Sequence, residues 1–461
     1  MIKYIFCLLV LIQTTLIVTA QSVGIGTTNP NPSAQLDISS NSKGVLVPRM
    51  TTAQRKAISN PEPGLLVFDT DKRNLFIYQS PGWGQLSFIN SEDGKPVPYA
   101  PIDGKAGSYF GNTVSMSGDY AAVGASSYKN ALDQSTGAVY IFHRINGAWT
   151  QEAVITASDG ASADYFGGSV DINGDYVAIG APGDKNGTIE QGSAYVFFRN
   201  GTNWIQQTKV VAADGAALDA FGNSVAIDGI YLLVGSPHDD IGALQNQGSG
   251  YLYTRSAVSW SFTKKFTAND GLANDTYGTR VCLSGETAMI SSPSDDVSAG
   301  STGSVYVYNS FSIPAWSHLQ KIVSPPENTS TSFASHFTLS DDTVVVASSD
   351  YAYTFYRSNI GVWVKAMNTI QFQGYLMREY NGEFLVTANP GNSTLAGQIW
   401  IYKKNGLDWQ LQREITDPYF IETTFYAPGF GSSVSISGYN MIVGVPGRNS
   451  AKGEVQFVNI E

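Results

Sequence analysis

Eleven aspartates recur at fixed offsets along this chain, and paired carboxylates are its residues best suited to chemistry. Asp159 and Asp164, Asp214 and Asp219, and Asp270 and Asp275 each flank a turn of the form Asp-Gly-x-x-x-Asp. Asp184, Asp239 with Asp240, and Asp295 with Asp296 follow a Gly-Ala-Pro-like turn further along each repeat. Oxygens converging in this way would suit a hard divalent cation. Two carboxylates facing one another across a sugar could also do glycosidic acid–base work. The plainer reading is that each aspartate caps its own turn. Catalysis is disfavoured, because turn residues recur with a repeat and a single active site does not. Turn capping, weak calcium binding and an acidic recognition surface all remain open.

Other chemistry finds little footing. The four histidines, His143, His238, His318 and His336, do not stand at metal-ligand spacing. There is no nucleophile elbow, no Cys-His pair and no His-Glu-x-x-His helix. The expectation is a protein that is not an enzyme and needs no cofactor. The formal charge of −11, with no basic run, argues against nucleic acid and anionic membrane as partners.

The elements that position these aspartates follow from a repeat. A phrase centred on Phe-Gly returns seven times, at residues 110, 166, 221, 277, 333, 374 and 430. The intervals are 56, 55, 56, 56, 41 and 56. Such a period marks stacked supersecondary units. In one unit, Ser169-Val170-Asp171-Ile172 alternates and ends at the hairpin signal Asn173-Gly174-Asp175. Tyr176 to Ile179 returns and stops at Gly180-Ala181-Pro182, because Pro cannot continue a ladder. After a loop, Gly192 opens a third strand through Phe198, and Trp204 begins a fourth that runs to Val211. Seven four-stranded antiparallel meanders predict an all-β, seven-bladed β-propeller over residues 96–461. Trp149, Trp204, Trp260, Trp316, Trp363 and Trp409 recur with the unit, which suits packing between blades. The fifth repeat, with Phe333-Ala334, and the sixth, with Gly374-Tyr375, are worn copies. The seventh stops after its third strand, so Val97 to Ile102 is expected to supply the fourth and close the ring. Closure removes an open sheet edge.

Residues 1–20 read as a leader: Lys3, an apolar run from Tyr4 to Val18, and small residues before Gln21. Its removal leaves one cysteine, Cys282, expected to be a small buried residue in a strand. No later segment is apolar for long enough to span a bilayer. Residues 21–95 form a small mixed module outside the repeat. Leu36 to Ile38 and Gly44 to Val47 read as extended pieces. Thr51 and Gln54 make a capping box for a helix from Thr52 to Ile58. Leu65 to Phe68 and Asn74 to Tyr78 read as a hairpin. So few apolar residues make a marginal core, which favours packing on the repeat body or on copies of itself.

Phe-Gly followed by Gly-Ala-Pro within each unit resembles the FG-GAP repeat of integrin α propellers and many bacterial secreted proteins. The residues are Phe110-Gly111, Phe166-Gly167, Phe221-Gly222, Tyr277-Gly278 and Phe430-Gly431. With them go Gly124-Ala125, Gly180-Ala181-Pro182, Gly235-Ser236-Pro237 and Gly444-Val445-Pro446. The resemblance implies a seven-bladed propeller with a role in adhesion or ligand recognition. It does not carry calcium sites over, because turns such as Ser117-Gly118-Asp119 lack the Asp-x-Asp-x-Asp-Gly loop. Gly24 to Thr28, Leu36 to Ile38, Pro48 to Thr51 and Gly64 to Asp69 resemble an N-terminal module of secreted bacterial surface and fibre-like proteins. That implies surface display and self-association through residues 21–95. The expected function is secreted or cell-surface recognition of a protein or glycan ligand through one propeller face. The alternative is a structural surface or fibre component with the propeller as a non-catalytic head or spacer. Antiparallel strands put the long loops, and all eleven aspartates, on one face.

Overall fold

The computed structural model describes residues 23–31, 33–71, 74–79, 82–85, 96–101, 104–296, 303–311, 315–328, 333–348, 351–359, 361–371, 376–391, 395–406, 408–419 and 429–460. The leader, the Gly374-Tyr375 pair and Ile102 lie outside these residues. The chain divides into two compact units, residues 1–88 and 89–461.

In the first unit, β1 (Val23–Ile25) and β2 (Leu36–Ile38) pair in parallel. A second sheet holds β3 (Arg49–Met50), β4 (Leu66–Asp69), β5 (Asn74–Gln79) and β6 (Gly82–Gln85) in that order. Between β3 and β4 lies α1 (Thr52–Lys56), held by the expected capping box. Thr51 N donates to Gln54 Oε1 at 2.9 Å, and Gln54 N donates to Thr51 Oγ1 at 3.2 Å. The expected hairpin is β4–β5. Gly44 to Val47, expected as an extended piece, is in no strand, and Val45 and Leu46 are exposed. The first strand of this ladder starts later: Phe68 N donates to Pro48 O at 2.9 Å and Thr70 N to Met50 O at 2.8 Å. Residues 44–47 therefore have no partner strand. Among the described residues the buried apolar side chains of this unit are Val67 and Phe76. Beside them sits a buried ion pair, Arg55 Nε to Asp69 Oδ2 at 2.9 Å, with the guanidinium 3.8 Å from the centre of the Phe76 ring.

The second unit is built of seven four-stranded antiparallel blades. Blade 2 shows the pattern, with strands Ser169–Asn173, Tyr176–Ala181, Ser193–Asn200 and Asn203–Val210. Gly174, at φ +57°, makes the tight first turn that the sequence signals. The innermost strands touch in chain order, and that of the seventh blade returns to that of the first. The ring therefore closes. The last blade takes its fourth strand from the front of the unit, as expected: β7 (Val97–Tyr99) pairs with Val455–Asn459, with Val97 opposite Phe457 and Tyr99 opposite Val455. The fifth blade keeps four strands, and only residues 348–350 separate its second from its third.

Side chains stitch the innermost strands together. Ser435 Oγ accepts from Met116 N at 3.0 Å across the closure, Ser115 Oγ from Ile172 N at 3.1 Å, and Asp171 Oδ2 from Ile227 N at 2.8 Å. Further out, the repeating tryptophans lie between blades. Trp204 Nε1 donates to Glu152 Oε1 of the preceding blade at 3.0 Å, and Trp149 stacks on Phe457 at 4.6 Å. Cys282 is half-buried in its inner strand rather than fully buried, with its thiol toward the Phe337 carbonyl of the next blade.

Glycines set the closest approach. A Cβ on Gly180 would overlap the carbonyl oxygen of Gly222 in the next blade. Gly180→Ala is expected to lower stability by about 2 kcal/mol, read by chemical denaturation. Gly160→Ala, whose Cβ would meet nothing nearer than 3.4 Å, should stay within about 0.5 kcal/mol of the parent. Equal effects would show that blade contact at Gly180 does not limit the fold.

Candidate functional site

The recurring aspartates come together at the long-loop ends of blades 2, 3 and 4, each around a lysine that the sequence analysis did not single out. The lysine stands on the outermost strand, directly opposite a tyrosine of the third strand: Lys209 opposite Tyr195, Lys265 opposite Tyr251, Lys321 opposite Tyr306. One carboxylate comes from the connection into the blade and one from its second loop. Lys209 Nζ is 2.7 Å from Asp159 and 2.5 Å from Asp184. Lys265 Nζ is 2.6 Å from Asp214 and 2.7 Å from Asp239. Lys321 Nζ is 2.6 Å from Asp270 and 2.7 Å from Asp295. The tyrosine hydroxyl lies between the same two carboxylates, at 3.0 and 2.9 Å in blade 2 and 2.9 Å from each in blade 3. It donates to one at a time. In blades 3 and 4 a serine adds a donor, Ser249 to Asp239 and Ser304 to Asp295.

The electrostatics follow from this geometry. Burial alone would raise Asp159, Asp214 and Asp270. The lysine and tyrosine hydrogen bonds outweigh it and hold all three below the ordinary carboxylate value. Burial acts against charge on Lys209, Lys265 and Lys321 too, yet their paired carboxylates raise them. The tyrosines are pushed up by burial and by the adjacent negative charge. Asp295, the more enclosed carboxylate of blade 4, is raised, because burial outweighs Lys321.

Asp164, Asp219 and Asp275 have a different place. Each is buried and accepts the backbone N–H three residues earlier: Ala161 at 2.5 Å, Ala216 at 2.6 Å and Leu272 at 2.6 Å. Burial pushes Asp164 and Asp219 up to about 6 and raises Asp275, and the neighbouring loop aspartate adds to the rise. Asp240 is exposed and accepts the Asn246 N–H at 2.8 Å, while Asp296 is exposed. Asp171 lies mid-strand and outside any motif, so no sequence signal marks it as more than a strand residue. It is pushed up to about 6 by burial, between the Ser115 hydroxyl at 2.9 Å and the Ile227 N–H. Lysine recurrence at 209, 265 and 321 was the available signal for the clusters.

In chemical terms these are closed ion clusters. A lysine ammonium fills the place between two carboxylates that a cation would take. Among the described residues no group of three or more His, Cys, Asp or Glu side chains is disposed to hold a metal.

Residues 100–142, 149–197, 204–253 and 260–308 match the family model of the FG-GAP repeat. The chain carries FG-GAP repeats. Each match takes in the three inner strands of one of blades 1 to 4, and the second, third and fourth also take in the outermost strand of the blade before. Residues 24–96 match the phage tail like trimerisation region. No curated protein matches the chain. A solved structure, a protein from Lactobacillus plantarum, is similar at 13% identity, with 76% of this chain and 91% of that chain covered and a TM-score of 0.45.

Two measurements check the FG-GAP clusters. The raised aspartates contribute stability that is full below the ordinary aspartate value and is lost as pH rises through about 6. The depressed set contributes stability that is lost as pH falls below that same value. The melting temperature is therefore expected to peak between about pH 4 and 5 and to fall as pH rises through about 6. Asp219→Asn should flatten part of that fall; a profile identical to the parent's would contradict the placement. Separately, Lys265→Met should cost about 2 kcal/mol, because it strands Asp239 in a buried setting. Melts of the parent in calcium and in chelator should superimpose, and a calcium-dependent rise would restore the cation reading.

Proposed function

We propose that this chain is an extracytoplasmic recognition protein without catalytic activity, whose FG-GAP propeller is presented in several copies by its N-terminal region. The observation that carries the reading is the joining, in one chain, of a match to a phage-tail-like trimerisation region and a closed propeller. Linking several heads turns later contacts into intramolecular ones, so weak single sites give strong attachment. The chain enters the last blade at the short-turn end, because β7 runs antiparallel to Val455–Asn459. The long-loop face is at the opposite end of the blades and is the face assigned here to a protein or glycan ligand. Among the described residues no helix is long and apolar enough to cross a membrane, and the leader reading of residues 1–20 supports export.

A second reading has its own observation. The carboxylates of blades 2 to 4 are engaged by internal lysines, tyrosines and backbone donors, which suits a propeller acting as a structural head or spacer. Glycan and extracellular-protein arrays probed with the full chain separate the two. The recognition reading expects saturable binding to a defined ligand class that weakens sharply when the chain is made monomeric. Absence of binding on both arrays would leave the structural reading.

A further inference from the structure

We propose that the apolar face of the β1–β2 ribbon is the seam on which copies of this chain assemble. The proposal rests on the multi-copy reading above and names its surface. Parallel pairing sets Val23 opposite Leu36 and Ile25 opposite Ile38. Side chains alternate along a strand, so these four aliphatic residues share one face of the ribbon. Gly24 and Asp37 share the other.

The two faces differ in what covers them. On the Gly24 side the connecting loop folds back. A Cβ on Gly24 would lie 2.7 Å from the Thr27 carbonyl oxygen and 2.8 Å from the Pro30 ring. Asp37 Oδ2 accepts the Asn31 N–H at 2.8 Å. That face is closed by its own chain. The aliphatic face is bare: Val23 is 56% exposed, Ile25 54%, Leu36 55% and Ile38 38%. A two-stranded ribbon of three-residue strands does not hold itself together in water. What covers the face must be apolar, because the four residues offer no hydrogen-bonding side chain and no charge.

Other copies of the same face meet that requirement. The match to the trimerisation region begins at residue 24, within the ribbon. A closed three-fold arrangement brings identical faces to one axis, where aliphatic side chains meet aliphatic side chains. The neighbouring sheet keeps its own centre in the Arg55–Asp69 pair, Val67 and Phe76, so the seam is separate from it.

Light scattering of the full chain tests this. The parent is expected at three chain masses. The double variant Ile25→Asp, Ile38→Asp is expected at one, with the propeller melt unchanged. Asp37→Ala, on the covered face, should remain at three. Because charges in the ribbon could also unfold it, Ile25→Cys in the otherwise unaltered chain provides a second readout. Under mild oxidation it should give disulfide-linked pairs of chains that the parent does not give. A double variant still at three masses, or an Ile25→Cys chain that does not cross-link, overturns the seam while leaving the trimer standing. A parent chain found at one mass at micromolar concentration overturns the seam and the multi-copy reading together.

Discussion

Everything in the propeller depends on how closely one blade can approach the next. In blade 3, Gly222 N donates to its own blade's Gly235 carbonyl at 3.0 Å, while its carbonyl oxygen lies against Gly180 of blade 2. The residue must take φ +89° to do both. Gly167 and Gly111 repeat the arrangement, and Gly111 against Gly444 is the contact that closes the ring. The Phe-Gly and Gly-Ala-Pro motifs are thus two halves of one contact, made between neighbouring blades. The phenylalanine beside each glycine is driven into the core by that backbone. Phe166 meets Tyr195 edge-on at 5.2 Å, and Phe221 meets Tyr251 in the same way at 5.2 Å. The worn interface between blades 4 and 5 shows the constraint relaxing. Buried Ser291 stands in the first glycine's place, and Ala334 takes φ +66° in the other's. A non-glycine residue there costs about 1–2 kcal/mol, and the fifth blade keeps its four strands regardless.

That contact made the architecture legible, because a steric requirement repeated at every interface leaves the same residues at the same interval. The closing strand was legible for a related reason: a blade missing one strand must borrow it. The aspartate clusters were only half legible. Their acids and tyrosines recur visibly, but their lysines can be assigned only if the third and outer strands are paired correctly. Blades 1, 2, 3, 4 and 6 share the same irregularity, a one-residue shift that in blade 2 falls between Val196 and Phe197. In blade 2 the shift lets Tyr195 face Lys209 while Arg199 faces Trp204. A slip of one residue moves every later side chain to the other face of the sheet. Simple alternation therefore cannot place Trp204 and Lys209 together. The unpaired Gln207 left by the shift accepts the Trp260 Nε1 hydrogen bond at 2.6 Å, so the bulge is itself part of a blade contact.

The first unit was legible where local chemistry decides and illegible where pairing decides. The capping box fixes its helix from within four residues, and the β4–β5 hairpin follows from alternation. Gly44 to Val47 has strand-like composition, yet strand formation needs a partner, and the partner edge goes to Arg49 and Met50. Its buried Arg55–Asp69 pair reflects the same scarcity of apolar residues. The guanidinium lies over Phe76, Thr52 donates to Asp69 at 2.9 Å, and the charges are satisfied from several sides. Such a pair is weak evidence for stability but leaves little freedom in how the helix docks.

On the recognition reading proposed above, specificity on the long-loop face has to come from what does not repeat. The lysine clusters are nearly identical in three consecutive blades, and their donors and acceptors are turned on one another. The residue just before each Phe-Gly behaves differently. Tyr109, Tyr165, Ala220 and Thr276 hold almost one backbone conformation, with φ of 54°, 56°, 56° and 54°. Their side chains are not kept: blades 1 and 2 have tyrosine, blade 3 alanine and blade 4 threonine. The loop of the preceding blade enforces the backbone, through Tyr109 N to Ala451 O at 2.9 Å in blade 1 and Thr276 N to Asn246 O at 3.2 Å in blade 4. The side chain is free of that demand, and packing adjusts around it: the Tyr165 ring fits beside Gly183, whereas Ala220 is matched by exposed His238 at the same place in its blade. Under that proposal, a scaffold that fixes the backbone and changes the side chain from Tyr165 to Ala220 to Thr276 would give a partner the same frame, with a changing surface to read, along consecutive blades.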